Sequence, residues 1–311
     1  MAYDFDVIIA GSYSADLIFS GLKELPRLGI DTVGTGFIMT PGEAYISAVA
    51  MHRLGIKVGW AADFGNDEFS QFALKCAREE GLDETLFVLH DRPYRRISAA
   101  ASYPEDRMFI TYYDPDPKVP AVISALIKYS ARVLFVPGLY TGALLSTGKK
   151  LVRLKGMKLV MDGNSSEGEL NGNSQQSKLI RKTIRSVDIF LPNAREARRL
   201  TGVKNLETSA SMLGKLCPLV VVKDGANGSI AALDNKTVRM PAITVNPMDT
   251  TGAGDNFNAG FLFAYLNGWS IEECLKCGNI SGGLATTALG GTFPKITTDD
   301  LRRYLDSWPV G

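Results

Sequence analysis

The chain has 311 residues, of which 45% are hydrophobic and 22% charged, and its net charge is +1. That length suits one large α/β domain or two modest ones, with ample apolar material for a core. The near-neutral balance leaves no basic footprint for nucleic acid or an anionic membrane, and no apolar run reaches the roughly 20 residues of a membrane span.

The N-terminus lacks the basic region of a secretory signal and leads directly into an apolar run, so a cytoplasmic location is expected. Phe5 to Ala10, followed by Gly11, reads as a buried strand. Residues 12–40 are rich in Gly and Thr and have no helical period. A helix is predicted over 43–54, stopped by Gly55, then a strand from Lys57 to Phe64. Asp67 to Glu80 reads as a helix ended by Gly81, and Leu86 to Leu89 as another strand. Residues 94–113 read as a hairpin with a polar turn, Pro104-Glu-Asp-Arg107. Arg132–Val136, Lys158–Met161, Val187–Leu191 and Leu219–Val222 are further apolar runs of strand length. Helical patterns at 141–154, 175–185, 194–201 and 208–216 separate them. Such alternation predicts an α/β fold, a three-layer αβα sandwich around a mostly parallel sheet. The β segments at 12–40 and 94–113 predict a small flap on that core. There is no linker or internal repeat, so 1–311 reads as one domain.

The four cysteines, Cys76, Cys217, Cys274 and Cys277, form no disulfide framework. Cys274-Leu-Lys-Cys277 has a CxxC spacing without a second pair, and only two histidines exist. These cysteines fit small apolar residues on one helix face. Gly142-Ala-Leu-Leu-Ser-Thr-Gly148-Lys149-Lys150 superficially resembles a phosphate-binding P-loop. It is one residue too long, and Lys150 stands where a Ser or Thr should meet magnesium.

Asp249-Thr-Thr-Gly-Ala-Gly-Asp255 is the most informative segment, and an apolar helix follows it to Leu266. Gly252, Ala253 and Gly254 let backbone approach a ligand closely, and their N–H groups at a helix start form an anion site. Asp255 falls in the first helical turn beside that site. A carboxylate there disfavours phosphate binding alone. It suits a base that takes a proton from a nucleophile attacking the phosphate. A plain helix-capping role also fits the local pattern.

This segment resembles the C-terminal signature of the ribokinase-like (PfkB) carbohydrate kinases, and the similarity extends over nearly the whole chain. Gly11 and Asp16 match the end of the family's first strand, where the aspartate binds substrate hydroxyls. Leu54-Gly55 and Gly65-Asn66-Asp67 match the run after its N-terminal motif. Asp162-Gly163-Asn164 resembles its Asp-Pro-Asn. Asn193-x-x-Glu196 matches a motif that organises Mg2+, largely through water. Lys223-Asp-Gly225-Ala-Asn-Gly228 resembles its nucleotide loop, and Asn279 with Gly290-Gly291 falls where the family lines an adenine pocket. Taken singly, Asn193-x-x-Glu196 also reads as a helix start, and Gly225 and Gly228 as turn glycines.

The resemblance implies an ATP-dependent phosphotransferase with an alcohol acceptor, a sugar or alternatively a nucleoside. Asp255 would be the base and the amides of Gly252, Ala253 and Gly254 the anion hole. Asp16, Gly42, Ile46, Arg96 and Tyr140 are the expected substrate residues. Asn193, Lys223, Gly225, Gly228 and Asn279 are those for the nucleotide. Asn193 and Glu196 would serve Mg2+, and Asp249 with the Thr251 carbonyl a monovalent cation such as K+. The flap would be a lid, shared in a homodimer. Two departures bear on substrate: Pro41 replaces one glycine of a pair, and Ile46 replaces an asparagine that bonds substrate hydroxyls. An unpaired hydroxyl there costs roughly 1–3 kcal/mol, so a substrate with an apolar edge or a base is expected. Arg92, Arg95 and Arg96 with the lid tyrosines also suit an anionic or aromatic substrate. A non-catalytic ligand sensor on the same scaffold is the reading from another class.

Overall fold

Strands that are apolar on both faces need helices above and below them, and the fold supplies both. The computed structural model describes residues 2–103, 107–140, 143–164 and 174–308. β1 (Phe5–Ala10) pairs in parallel with β4 (Val58–Ala61) and β9 (Ala131–Val136). β10 (Lys158–Asp162), β11 (Ile189–Leu191) and β12 (Leu219–Lys223) continue the parallel set. β13 (Ser229–Leu233) and β14 (Lys236–Met240) close it as an antiparallel hairpin. The order is β14-β13-β12-β11-β10-β9-β1-β4.

Alternation along each strand divides the core into two. Val7, Ile9, Trp60 and Phe135 face α1 (Ala44–Arg53), α2 (Glu68–Glu79), α8 (Ala253–Leu266), α9 (Ile271–Ala285) and α10 (Thr298–Asp306). Ile8, Leu134, Met161 and Val220 face α3 (Ala121–Lys128), α4 (Ala143–Leu154), α5 (Ser174–Ile184), α6 (Ala194–Thr201) and α7 (Leu206–Gly214). This is the expected three-layer αβα arrangement. Cys274 and Cys277 are both buried on α9.

A second sheet stands apart from the first. β2 (Tyr13–Ser20), β3 (Gly36–Glu43), β7 (Arg96–Ser102) and β8 (Arg107–Tyr113) pair in the order β3-β2-β7-β8. The hairpin expected within 94–113 is β7–β8, and its turn at 104–106 lies outside the described residues. Residues 141–142, where the next helix was expected to begin, lie outside them too, as does Gly142 of the P-loop-like run.

One expectation changes, and elements are added. The run from Lys57 to Phe64 breaks at Ala62: β4 joins the large sheet, whereas β5 (Asp63–Phe64) pairs with β6 (Val88–Leu89). The hairpin β13–β14 and the helices α9 and α10 extend the pattern beyond the predicted elements. Asp234 and Asn235 turn that hairpin with φ of 50° and 61°, a conformation that Asn and Asp tolerate better than most residues.

Candidate active site

β1, β9, β10, β11 and β12 run parallel, so their carboxyl ends open on one edge, the usual ligand side of such sheets. The loops leaving that edge carry most of the predicted residues. Two cavities lie there. One, of about 710 Å3, is lined by Asn193, Glu196, Lys223, Gly225, Gly228 and Asn279, and by Ala253 and Gly254. Asn193, Lys223, Gly225, Gly228 and Asn279, expected to serve the nucleotide, therefore meet in one place. The other, of about 900 Å3, is lined by Asp16, Ile46, Arg96 and Tyr140, expected for the substrate, with Thr251 and Gly252. β2, β7 and β8 of the small sheet form one of its walls through Ser14, Ser98 and Tyr113. Asp255 lines both cavities, as do Pro137 and Asn164.

The Gly252–Gly254 segment is built from close backbone contacts. Gly252 is the N-cap of α8 with φ of 69°, and a Cβ there would come within 2.6 Å of the Gly291 backbone. Both facts require glycine. The Asp249 carboxylate fixes this turn by accepting from the Thr251 N–H (2.9 Å), the Thr251 hydroxyl (2.7 Å) and the Gly290 N–H (2.9 Å). Ala253 N–H donates to the Thr250 carbonyl at 3.3 Å and Asn256 N–H to the Gly252 carbonyl at 2.9 Å. The amides between them belong to the first turn of α8, which has no intrahelical acceptors to offer them.

Asp255 is half-buried and opens onto both cavities. The Ser47 hydroxyl, from α1, donates to its Oδ1 at 2.5 Å. Burial pushes the Asp255 carboxyl up to about 6; the Ser47 bond opposes that rise, the Asp162 charge adds to it and Lys223 opposes it. A carboxylate that titrates near neutrality is well placed to exchange a proton.

Asp162, at the end of β10, accepts from Lys223 Nζ at 2.7 Å and from the Asn258 amide. Asn193 and Glu196 form a reciprocal capping box at the start of α6, so the helix-start reading holds together with a cavity-facing position. Burial and the Asp162 charge push the Glu196 carboxyl up to about 7. Among the described residues, no group of three or more His, Cys, Asp or Glu side chains is arranged to hold a metal ion. Glu196 beside Asn193 nonetheless fits Mg2+, which binds proteins through one or two carboxylates while phosphates and water supply the rest.

Some expected residues occupy other places. Gly42 does not line the substrate cavity. It lies behind Asp16, where a Cβ would meet Asp16 Oδ2 at 2.2 Å, so it makes room for that carboxylate. Asp249 lines neither cavity and acts on the loop described above. The Gly290 N–H donates to Asp249 and Gly291 packs against Gly252 and Ile46; neither glycine lines the nucleotide-side cavity. Arg95 pairs with Asp114 at 2.9 Å and Arg92 donates to the Pro115 carbonyl at 3.0 Å; neither lines the substrate-side cavity. Arg96 does line it, stacked 4.0 Å over Tyr113 and paired with Asp116 at 3.2 Å and Glu43 at 3.9 Å.

Sequence reasoning missed Ser47, Asn258 and Glu43. Ser47 follows Ile46 in a motif whose spacing was legible, but its partner is 208 residues away. Glu43 announces itself only through its backbone: φ of 53° is unusual for a non-glycine residue, and the Tyr113 hydroxyl donates to it at 2.6 Å.

Comparison with known proteins gives a consistent picture. A family model described as pfkB family carbohydrate kinase matches residues 40–298. The chain is 22% identical over 311 residues to a ribokinase of Haemophilus influenzae, covering 96% of this chain and 97% of that one. It is 35% identical over 134 residues to a cytidine kinase of Thermococcus kodakarensis, 42% of this chain and 47% of that protein. An E. coli structure solved in complex with ATP and Mg2+ superposes with a TM-score of 0.79 at 18% identity, over 97% of this chain and 99% of that one.

Proposed function

The chain belongs to the pfkB family of carbohydrate kinases, phosphotransferases with an alcohol group as acceptor, and from that premise we propose that it transfers the γ-phosphoryl group of ATP to a hydroxyl of a sugar or sugar-like small molecule. The observation that carries this reading is the position of Asp255, a titratable carboxyl at the junction of two cavities and in the first turn of a helix whose first residues line them.

ATP occupies the cavity at Lys223 to Gly228 and Asn279. The acceptor occupies the cavity under the small sheet. Asp255 takes the proton of the attacking hydroxyl, and the amides at Gly252 to Gly254 receive the charge on the transferring phosphoryl. Glu196 and Asn193 organise the Mg2+ that accompanies the nucleotide. Asp249 and the Thr251 carbonyl hold a monovalent cation, K+, that polarises the same loop. Exchanging potassium for a bulky organic cation then lowers activity; unchanged activity removes that role.

Residues 1–311 act as one kinase domain with the small sheet as its lid, which excludes water as a competing acceptor. That sheet exposes Phe19, Phe37, Ile38 and Ile110, an apolar surface suited to a second copy of the chain. No helix among the described residues is long and apolar enough to cross a membrane.

A nucleoside acceptor is the second reading. Ile46, Leu139 and Tyr140 give the substrate cavity an apolar wall suited to a base, and the similarity to a cytidine kinase supports it. Labelled ATP offered with a panel of sugars and nucleosides tests the function and separates the two classes. Transfer to a member of either class supports the kinase. Tight binding without transfer across the panel favours a non-catalytic sensor.

A further inference from the structure

We propose that Lys223 is a catalytic residue, the fixed cation that neutralises the phosphoryl group in flight, and that Asp162 is the counter-ion holding it ready. This rests on reading Asp255 as the base.

Three carboxyl groups, Asp162, Glu196 and Asp255, line the nucleotide-side cavity, and Lys223 is the one basic side chain among its described lining residues. An incoming polyphosphate therefore meets an excess of negative wall with a single ammonium to offset it. That ammonium is placed for the terminal phosphoryl. A Cβ added to Gly254, within the anion-hole turn, would lie 3.5 Å from Lys223 Nζ. The side chain is only 12% exposed, so its charge acts in a poorly screened setting. Its position is fixed from both ends. The Lys223 N–H donates to the Pro192 carbonyl at 2.9 Å, which ties the end of β12 to the Asn193 turn. Nζ is held by Asp162 Oδ2 at 2.7 Å and Asn258 Oδ1 at 3.3 Å.

A lysine serving only as a buried partner for Asp162 has no need to line the cavity beside Gly254. One serving only to bind nucleotide would affect ground and transition states alike. At the helix N-terminus the ammonium adds a full charge to the partial charges of the first-turn amides. In the reaction, the bond between the terminal phosphorus and the oxygen left on ADP breaks as the substrate oxygen bonds to that phosphorus. The hydroxyl proton goes to Asp255. Lys223 makes and breaks no bond; its ammonium follows the charge that spreads over the equatorial oxygens.

Steady-state kinetics of Lys223→Met, with the best acceptor from the sugar and nucleoside panel, tests the assignment. The expected result is a fall in kcat of about 100-fold with KM for ATP changed by less than about threefold. Lys223→Arg, which keeps the charge, is expected to recover at least about tenfold of that loss. Because Lys223→Met strands the Asp162 carboxylate, the double variant with Asp162→Asn is assayed beside it and is expected to be equally slow. Turnover within about threefold of wild type in either variant overturns the proposal, as does a loss expressed wholly in KM for ATP. Asp255→Asn in the same assay keeps the outcomes apart. If it abolishes turnover while Lys223→Met does not, the Lys223 assignment alone falls; if it leaves turnover intact, the underlying reading of the base falls.

Discussion

Ser47 and Asp255 stand 208 residues apart in the chain and meet at 2.5 Å, the serine hydroxyl donating to the carboxylate. The contact joins the start of α1, which follows β3 of the small sheet, to the start of α8, which carries the Gly252–Gly254 turn. It favours the charged carboxylate in a site where burial disfavours it.

Removing that donor has two readable effects. Ser47→Ala is expected to lower kcat by about tenfold, because the carboxylate loses its orienting partner. It should also move the acid limb of the pH–rate profile upward by about one pH unit, since a hydrogen bond to a charged group is worth roughly 1.5–3 kcal/mol. Ser47→Thr, which keeps the hydroxyl, should retain most of the wild-type profile. An unchanged profile for Ser47→Ala would show that the contact is incidental to the base.

The wild-type profile itself is constrained. As the proposed base, Asp255 would act only when ionised, and burial pushes its carboxyl up to about 6. Activity is therefore expected to fall as pH drops through about 6. Initial rates at saturating substrate between pH 5 and 8 check this. An acid limb at the ordinary aspartate value near 4 would contradict the burial argument.

The same shift makes a stability prediction. Asp255 titrates near 6 in the folded protein against an ordinary value of 3.8. Between those values the folded state holds more protons than the unfolded one, so this group's contribution to stability is full below about pH 4 and is lost as pH rises through 6. Asp255→Asn escapes that loss. It should unfold at higher temperature than wild type above pH 7, by a difference on the order of 2 kcal/mol that closes below pH 4. Thermal unfolding of both proteins across that range measures it. Equal stabilities at pH 8 would mean that the carboxyl is effectively solvated.

Glu196 is expected to act through the metal. Glu196→Gln keeps the shape of the capping box with Asn193 but removes the charge, so the Mg2+ concentration for half-maximal rate should rise several-fold with little change in folding. A magnesium titration decides it, and an unshifted curve would remove Glu196 from that role.

Much of this was legible in the sequence. Buried parallel strands are short continuous apolar runs, so β1, β9, β10, β11 and β12 could be read within a residue or two. The turn Gly252-Ala-Gly254 before Asp255 could be read because close backbone approach admits few residue types. What escaped was pairwise and long-range. Lys223 was legible as a nucleotide-loop residue, but its bond to Asp162 depends on two strands, β10 and β12, meeting β11 from either side. Gly42 was expected against the substrate because the motif places it there. Its placement against Asp16 follows from the β2–β3 register, in which Gly42 pairs with Ser14 and Thr40 with Asp16. The hairpin β13–β14 did carry a local signal in the turn pair Asp234-Asn235 between two strand-length runs, and it passed unread.

The most direct measurement is the turnover of Asp255→Asn with the acceptor found in the panel. Loss of the general base predicts a fall in kcat of at least about 1,000-fold while ATP still binds. A purified variant that turns over at the wild-type rate would contradict the assignment of Asp255 as the group that deprotonates the substrate.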